Sequence, residues 1–229
     1  MSTDITSQQH SILKGYNMLL YFAGTMIMYE PAEECIVDFW KEGILRKLPV
    51  SSTNPAFIRA ASQLRESCTD KASSTNAMSE DYYRLFTRIN KPLAPAYESL
   101  YKKPAQTERV LNDSDVSEFY NSYGWKNKFR HGMKDDHLGV ELLFLTTLIE
   151  KYIVLDDEAC RGEMRNEIRR FIDQHILSWI PEWHKRVQEY SLTPSYKGIS
   201  SLIFACVEDI HSLLSNRNEL FFRTGYLKN

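Results

Sequence analysis

The chain has 229 residues, with 28 lysines and arginines against 30 aspartates and glutamates, and a formal net charge of −2 at pH 7. Hydrophobic residues make up 43% and charged residues 25% of the chain, which excludes an intrinsically disordered protein. The near-neutral charge argues against a nucleic-acid binder and against a binder of anionic membranes. With only 9 glycines and 8 prolines, few turns and therefore long helices are expected.

The cysteines and the N-terminal apolar run indicate the compartment. The four cysteines, at positions 35, 68, 160 and 206, form no CxxC pair, so neither a zinc site nor a disulfide framework is expected. The apolar run over residues 18–28 is shorter than the ~20 residues that a membrane span needs. It also lacks the basic flank of a signal peptide. The sequence therefore predicts a soluble cytoplasmic protein without stable membrane insertion.

Apolar residues recur at helical spacing almost throughout, which predicts an all-α fold with one compact domain over residues 1–229 and a possible subdivision near 90–113. In the N-terminal half we predict four helices. The first covers 7–29, with Met18, Tyr21, Phe22, Thr25 and Met28 near one face, and the second runs from Pro31 to near Pro49. The third is capped by Ser52 or Thr53 and runs through Leu64, and the fourth is capped by Ser79 and carries Tyr82, Leu85, Phe86 and Ile89.

A long proline-containing loop is predicted between residues 90 and 113, because Pro92, Pro95 and Pro104 exclude a continuous helix. Connections of this length are uncommon within a compact domain and are often functional. Tyr97 and Tyr101 lie in the loop, either as contact residues for a partner or as rings that attach the loop to the core. The loop would also permit helix exchange, so a monomer and a domain-exchanged dimer are both open.

In the C-terminal half a short helix is predicted from residues 112–114 to Gly124. Residues 134–157 are apolar on nearly all faces, which is typical of a buried central helix, and Asp135 and Asp136 are placed to cap its start. Two further helices are predicted over 161–190, kinked at Pro181, and over 195–222.

Several common catalytic and nucleotide motifs do not occur: GxGxxG, GxxxxGK[ST], HExxH and GxSxG. A helical domain without them is more often a binding module than an enzyme, so we expect no catalytic activity and no cofactor. The adjacent Arg169 and Arg170 are interpreted as surface arginines of a helix.

One polar cluster, formed by His131, Asp135, Asp136 and His137, precedes the predicted central helix. One interpretation is that the two aspartates cap the helix. Histidine and aspartate are also ligands for divalent metals, which would indicate a metal-dependent hydrolase. A third interpretation is recognition of a basic and apolar peptide, since carboxylates bind arginine through paired hydrogen bonds.

Three segments resemble motifs of the TorD/DmsD/NarJ-type chaperones. Residues 135–145, DDHLGVELLFL, resemble the signature D-H-x-G-x-x-L-x-F-[LM]. Residues 82–86 with 95–101, YYRLF and PAYESLY, resemble the family's R-L-F segment and its [YW]-x-S-[VL]-[YW] motif. Residues 175–183, HILSWIPEW, are similar to H-L-x-x-W-x-P-x-[FW]. The three occur in the family's order.

The resemblance implies an all-helical cytoplasmic chaperone that matures molybdenum-cofactor oxidoreductases. It also implies two partners, namely the twin-arginine signal peptide and the catalytic subunit of a molybdoenzyme. The adjacent carboxylates of Asp135 and Asp136 are suited to the two arginines. The peptide-binding residues of the family correspond here to Asp136, His137, Tyr82, Leu85, Phe86, Tyr97 and Tyr101. Residues 133–135 depart from the Glu-Pro that the family often has, which leaves the identity of the client open.

Overall fold

The computed structural model describes residues 2–32, 34, 39–40, 42, 44–68, 75–89, 91–102, 114–128 and 133–215. Every regular element within these ranges is helical, which confirms the all-α prediction. The helices are α1 (Ser2–Met28), α2 (Pro55–Ser67), α3 (Thr75–Tyr82), α4 (Ser114–Ser122), α5 (Leu138–Val154), α6 (Glu158–Phe171), α7 (Ile180–Tyr190) and α8 (Pro194–Ser215). Short 3₁₀ helices cover Ile44–Arg46 and Glu98–Leu100, and π-helical turns cover Tyr83–Thr87 and Ile172–Ile176.

Two helices form the centre of the core. Helix α5 is buried on nearly all faces, as its sequence predicts. Helix α8 packs against α1, α2 and α7. Within the described part of the chain, α8 is the one helix long and apolar enough to cross a membrane, and 67% of its apolar window lies inside the protein. Its apolar composition therefore has a direct explanation in core packing.

Helices α1 and α5 pack closely because glycines lie where they cross. A Cβ atom on Gly139 would overlap the side chain of Met28 and would lie 3.1 Å from the Gly24 carbonyl oxygen. Further along the two helices, the Asn17 side chain donates to the Thr146 carbonyl at 3.1 Å. Residue numbers rise along α1 as they fall along α5, so the two helices are antiparallel.

The observed helix starts correct three predicted caps. Asn54, and not Ser52 or Thr53, caps α2: its side chain accepts from the Ala56 N–H at 2.8 Å, and Pro55 occupies the first helical position. Ser79 lies inside α3 and caps no helix. Helix α5 is capped by His137, so the two preceding aspartates lie outside the cap position.

The predicted kink at Pro181 is a complete break, and it lies upstream of the proline. The chain leaves α6 through the π-helical turn Ile172–Ile176, turns over residues 177–179, and starts α7 with Pro181 in its first turn. Proline is well tolerated there because the first N–H groups of a helix have no intrahelical acceptor.

Some predictions fall partly outside the described residues. These are residues 33, 35–38, 41 and 43 of the predicted helix 31–49, residues 103–113 of the long loop, His131, and residues 216–222 of the last helix. Residues 91–102 of the loop contain no α-helix, as the prolines predict. The single-domain assignment stays a prediction.

Candidate functional site

The first two motifs meet through their main chains. An isolated antiparallel β-bridge pairs Tyr97 with His137. The Leu138 N–H donates to the Ala96 carbonyl at 2.8 Å, and the Glu98 N–H donates to the Asp136 carbonyl at 2.9 Å. The tyrosine loop is thereby held in a fixed register against the start of α5.

The third motif contacts the tyrosine loop through side chains. The Glu98 carboxylate lies 3.3 Å from Nδ1 of His175, and the Trp183 indole N–H donates to the Ala94 carbonyl at 3.2 Å. We call this assembly, formed by residues 94–101, 135–141 and 175–183, the motif junction. Segments far apart in sequence thus build one structure.

Three carboxyl groups lie buried in the motif junction: Glu98, Asp136 and Glu141. Lys102 forms an ion pair with Glu98. Both Glu141 oxygens are enclosed without a conventional hydrogen bond to any described residue. Burial raises the pKa of Glu141 well above its usual value, and the charges of Glu98 and Asp136 raise it further, while Lys102 and the Trp179 indole act in the opposite direction. The protonated form of Glu141 is therefore favoured.

Asp136 and His137, the central pair of the predicted site, have internal partners. The Asp136 carboxylate accepts from the Ser99 N–H at 3.2 Å. His137 Nδ1 accepts from the Gly139 N–H at 3.0 Å, and its ring meets the Tyr97 ring edge-on at 4.9 Å. Burial lowers the pKa of His137 to about 4, which keeps the imidazole neutral. The two residues are only 2% and 4% exposed, so in this structure they present almost no surface to a ligand.

The predicted apolar face on residues 82–86 is also turned inward. Leu85 is fully buried, and Tyr82 and Phe86 are buried as well. The Tyr82 hydroxyl donates to the Met28 carbonyl at 2.9 Å, and the Phe86 ring packs edge-on against the Tyr196 ring. This face supports the motif junction from the core side.

Three of the predicted site residues, Asp135, Tyr97 and Tyr101, are only half-buried. The Asp135 carboxylate accepts from the Ser117 hydroxyl at 2.6 Å. The Tyr101 ring lies 5.3 Å from the Trp179 ring, between centroids. Both alternatives for the tyrosines thus keep a physical basis, because each ring contacts the protein and retains exposed surface.

A metal site is not assembled by the residues that the structure describes, since they contain no group of three or more His, Cys, Asp and Glu side chains arranged to hold an ion. His131 lies outside them.

A second surface feature is a groove between α1 and α5, with a cavity of about 700 Å³. Its walls are mainly apolar, and Met18, Tyr21 and Val154 are 65%, 61% and 74% exposed. Four of the five residues that the sequence pattern groups on one face of α1 line this groove, namely Met18, Tyr21, Phe22 and Thr25, whereas the fifth, Met28, is buried. The face of α1 that enters the core carries Leu13, Tyr16, Leu20 and Ile27.

Sequence reasoning named no residue of the third motif as part of the site, although His175, Trp179 and Trp183 all reach the motif junction. It also missed Glu98 and Glu141. A signal was present for Glu141, because it is a charged residue in an otherwise apolar helix, and such residues are rarely buried without a reason.

Comparisons with known proteins agree with the motifs. The family model described as "Nitrate reductase delta subunit" matches residues 52–185. A protein named chaperone protein TorD from Vibrio cholerae serotype O1 (strain ATCC 39315 / El Tor Inaba N16961) is 26% identical over 155 residues, covering 64% of this chain and 65% of the relative. Its namesake from Vibrio vulnificus (strain YJ016) is 27% identical over 163 residues, covering 67% and 70%.

The aligned part therefore spans slightly less than two thirds of the Vibrio cholerae relative. A crystal structure of a putative redox enzyme maturation protein from Archaeoglobus fulgidus aligns with 88% of this chain and 94% of its own, at 19% identity and a TM-score of 0.44. Because the family model covers more than half of the sequence, the chain belongs to the nitrate reductase delta subunit family, the TorD/NarJ family that its three motifs resemble.

Proposed function

We propose that this protein is a cytoplasmic chaperone that binds the twin-arginine signal peptide of a molybdenum-cofactor oxidoreductase subunit and assists the maturation of that subunit before export. The observation that carries the proposal is the convergence of all three family motifs in one junction, where the Tyr97–His137 bridge joins the first two and side chains attach the third. The names of the relatives support a chaperone. The role is binding without catalysis and without a cofactor.

The eight predicted residues divide into three groups by exposure and by contacts. Asp135, Tyr97 and Tyr101 are the members that a bound leader would touch. Asp136 and His137 act as positioning residues, since their hydrogen bonds fix Ser99 and the start of α5. Tyr82, Leu85 and Phe86 support the loop from inside.

The chemistry of a twin-arginine leader matches this surface. The carboxylates of Glu98, Asp135 and Asp136 outnumber the ammonium group of Lys102 beside the motif junction, which favours guanidinium groups nearby. Leu100 beside the tyrosines is 61% exposed and offers apolar contact. Burial of apolar surface contributes roughly 25 cal/mol per Å², but ordering a disordered leader offsets part of this gain. Affinity on the order of micromolar, with reversible release, follows from that balance.

Calorimetric titration of the intact protein with leader peptides from the molybdoenzymes of the same genome tests the proposal. Wild-type protein should bind at least one leader. Asp136→Ala and His137→Ala should each weaken binding about tenfold or more, because loss of either contact releases the tyrosine loop. Circular dichroism and a melting curve confirm that each variant is folded.

Asp157→Ala is the matched control. Asp157 caps α6 through the Cys160 N–H at 2.7 Å, so its loss also removes a helix cap. It follows the far end of α5, about 25 Å from His137 for a helix of this length. Binding by this variant should equal that of wild type. Absence of heat with every leader, or equal affinities in wild type and both junction variants, would overturn the proposal.

A further inference from the structure

We infer that the groove between α1 and α5 receives the apolar segment of the leader, while the arginines of the leader lie at the motif junction. This inference rests on the proposed function and assigns a second part of the same binding surface. It starts from the contrast in exposure: the predicted apolar face on residues 82–86 is buried, whereas Met18, Tyr21 and Val154 stand open on the groove.

The length of the groove corresponds to that of a leader's apolar segment. Its wall on α1 runs from Lys14 to Met26, which is about 18 Å at 1.5 Å per residue. An apolar segment of about 7–15 residues spans about 10–22 Å when helical. A single helix laid along α1 would therefore cover the exposed side chains from end to end.

The groove ends close to the motif junction along α1. Its wall on α1 ends at Met26, two residues before Met28, whose carbonyl accepts from the Tyr82 hydroxyl. The Met28 side chain packs on Gly139, two residues after His137 in the chain. The two parts of the proposed binding surface are therefore neighbours in the fold.

The charges at the two ends favour one direction for the peptide. Near the junction, the carboxylates of Glu30, Glu98, Asp135 and Asp136 exceed the ammonium groups of Lys102 and Lys134. Glu30 lies close enough to Tyr82 to add to the rise in its pKa that burial causes. At the other end, Lys14 and Glu150 offset each other. In a twin-arginine leader the cationic residues precede the apolar segment, so the arginines belong at the junction and the apolar segment extends toward Lys14.

Charge placed in the groove tests the inference, because the exposed positions tolerate substitution without unfolding. The variants are Tyr21→Glu and Val154→Glu, and the control is Ile58→Glu on α2, where the side chain is 56% exposed and lies outside the groove. The probe is a synthetic peptide of about 25 residues that carries two adjacent arginines followed by an apolar segment. Each groove variant should bind it at least tenfold more weakly, and the control within twofold of wild type.

A cross-linking experiment locates the peptide directly. A photoreactive residue in the apolar segment should form adducts with residues 14–26 or 146–154, identified by mass spectrometry of the intact wild-type complex. Adducts confined to residues 97–101 would overturn the inference.

The outcomes separate the inference from the proposed function. If wild-type protein binds no leader, the proposed function fails and the groove assignment fails with it. If wild type binds and the groove variants bind equally well, only the groove assignment is wrong. The groove assignment is also wrong if the groove variants change the oligomeric state in light scattering but leave the leader affinity unchanged. A second copy of the chain would then be the occupant of the groove.

Discussion

The motif junction and the α1–α5 groove differ in how their residues are used. The junction contains the distinctive residues of the sequence, and most of them are buried and hydrogen-bonded to one another. The groove is made of ordinary apolar residues that belong to no motif, and several are largely exposed. The comparison shows that a family motif can mark an internal framework of the fold, while exposed apolar surface of the same chain carries no such mark.

The largest expected loss of stability comes from a substitution in the motif junction. Trp183 is fully buried and its indole holds the Ala94 carbonyl. Trp183→Ala leaves a cavity and an unpaired carbonyl, so it should lower the free energy of unfolding by about 3–5 kcal/mol. Urea unfolding followed by circular dichroism measures this. A loss below about 1 kcal/mol would show that the junction is not a rigid assembly.

A pH effect should be specific to His137. Its pKa is about 4 in the folded protein and 6.5 in an ordinary environment, so the unfolded chain takes up a proton first as the pH falls. The stability that neutral His137 contributes is complete above pH 6.5 and is lost as the pH falls toward 4. Between about pH 7 and pH 5 wild type should lose about 2 kcal/mol more than His137→Asn.

Asparagine is the informative replacement at this position because it caps a helix well and does not titrate. The measurement is urea unfolding of both proteins at each pH. Parallel pH dependence in the two proteins would mean that His137 is not enclosed as described.

Glu141 should make stability depend on pH in the opposite direction. Its pKa is raised in the folded protein, so wild type loses stability as the pH rises above the ordinary glutamate pKa. Glu141→Gln removes the ionisation, and its stability relative to wild type should grow with pH, reaching on the order of 1 kcal/mol near pH 8. Glu150→Gln on the exposed side of the same helix is the control and should stay within about 0.5 kcal/mol of wild type.

The smallest change in stability is expected for substitutions in the groove. Met18→Ala and Tyr21→Ala remove side chains that are mostly in solvent, so each should change the free energy of unfolding by less than about 0.5 kcal/mol. Thermal unfolding checks this directly. A loss above about 1.5 kcal/mol would show that the groove wall belongs to the core, and the contrast between the two regions would disappear.

Periodicity predicted the helices well because burial follows the helical repeat. Helix α5 shows this most clearly, since its apolar residues on all faces match its central position. The ends of helices were harder, because Asn54 and His137 compete as caps with neighbouring serines, threonines and aspartates that have the same capacity to accept an N–H. Local sequence does not decide among such neighbours.

The sequence predicted a set of candidate site residues but not their arrangement. The motifs named Tyr97, Asp136 and His137, yet the bridge that joins them links residues 40 positions apart in the chain. Leu85 and Phe86 are buried as ordinary helical spacing predicts, but Ile89, which continues the same pattern, is 75% exposed, because the π-helical turn over Tyr83–Thr87 departs from the ordinary repeat and ends the helix before it. Neither feature is visible in the spacing of apolar residues.

The position of α8 has a consequence for synthesis on the ribosome. This helix follows every other described helix in chain order, yet α1, α2 and α7 all pack on it. The earlier helices therefore leave the exit tunnel before the partner that covers their apolar faces has been made. The native core of a nascent chain should therefore be completed only after α8 has left the tunnel.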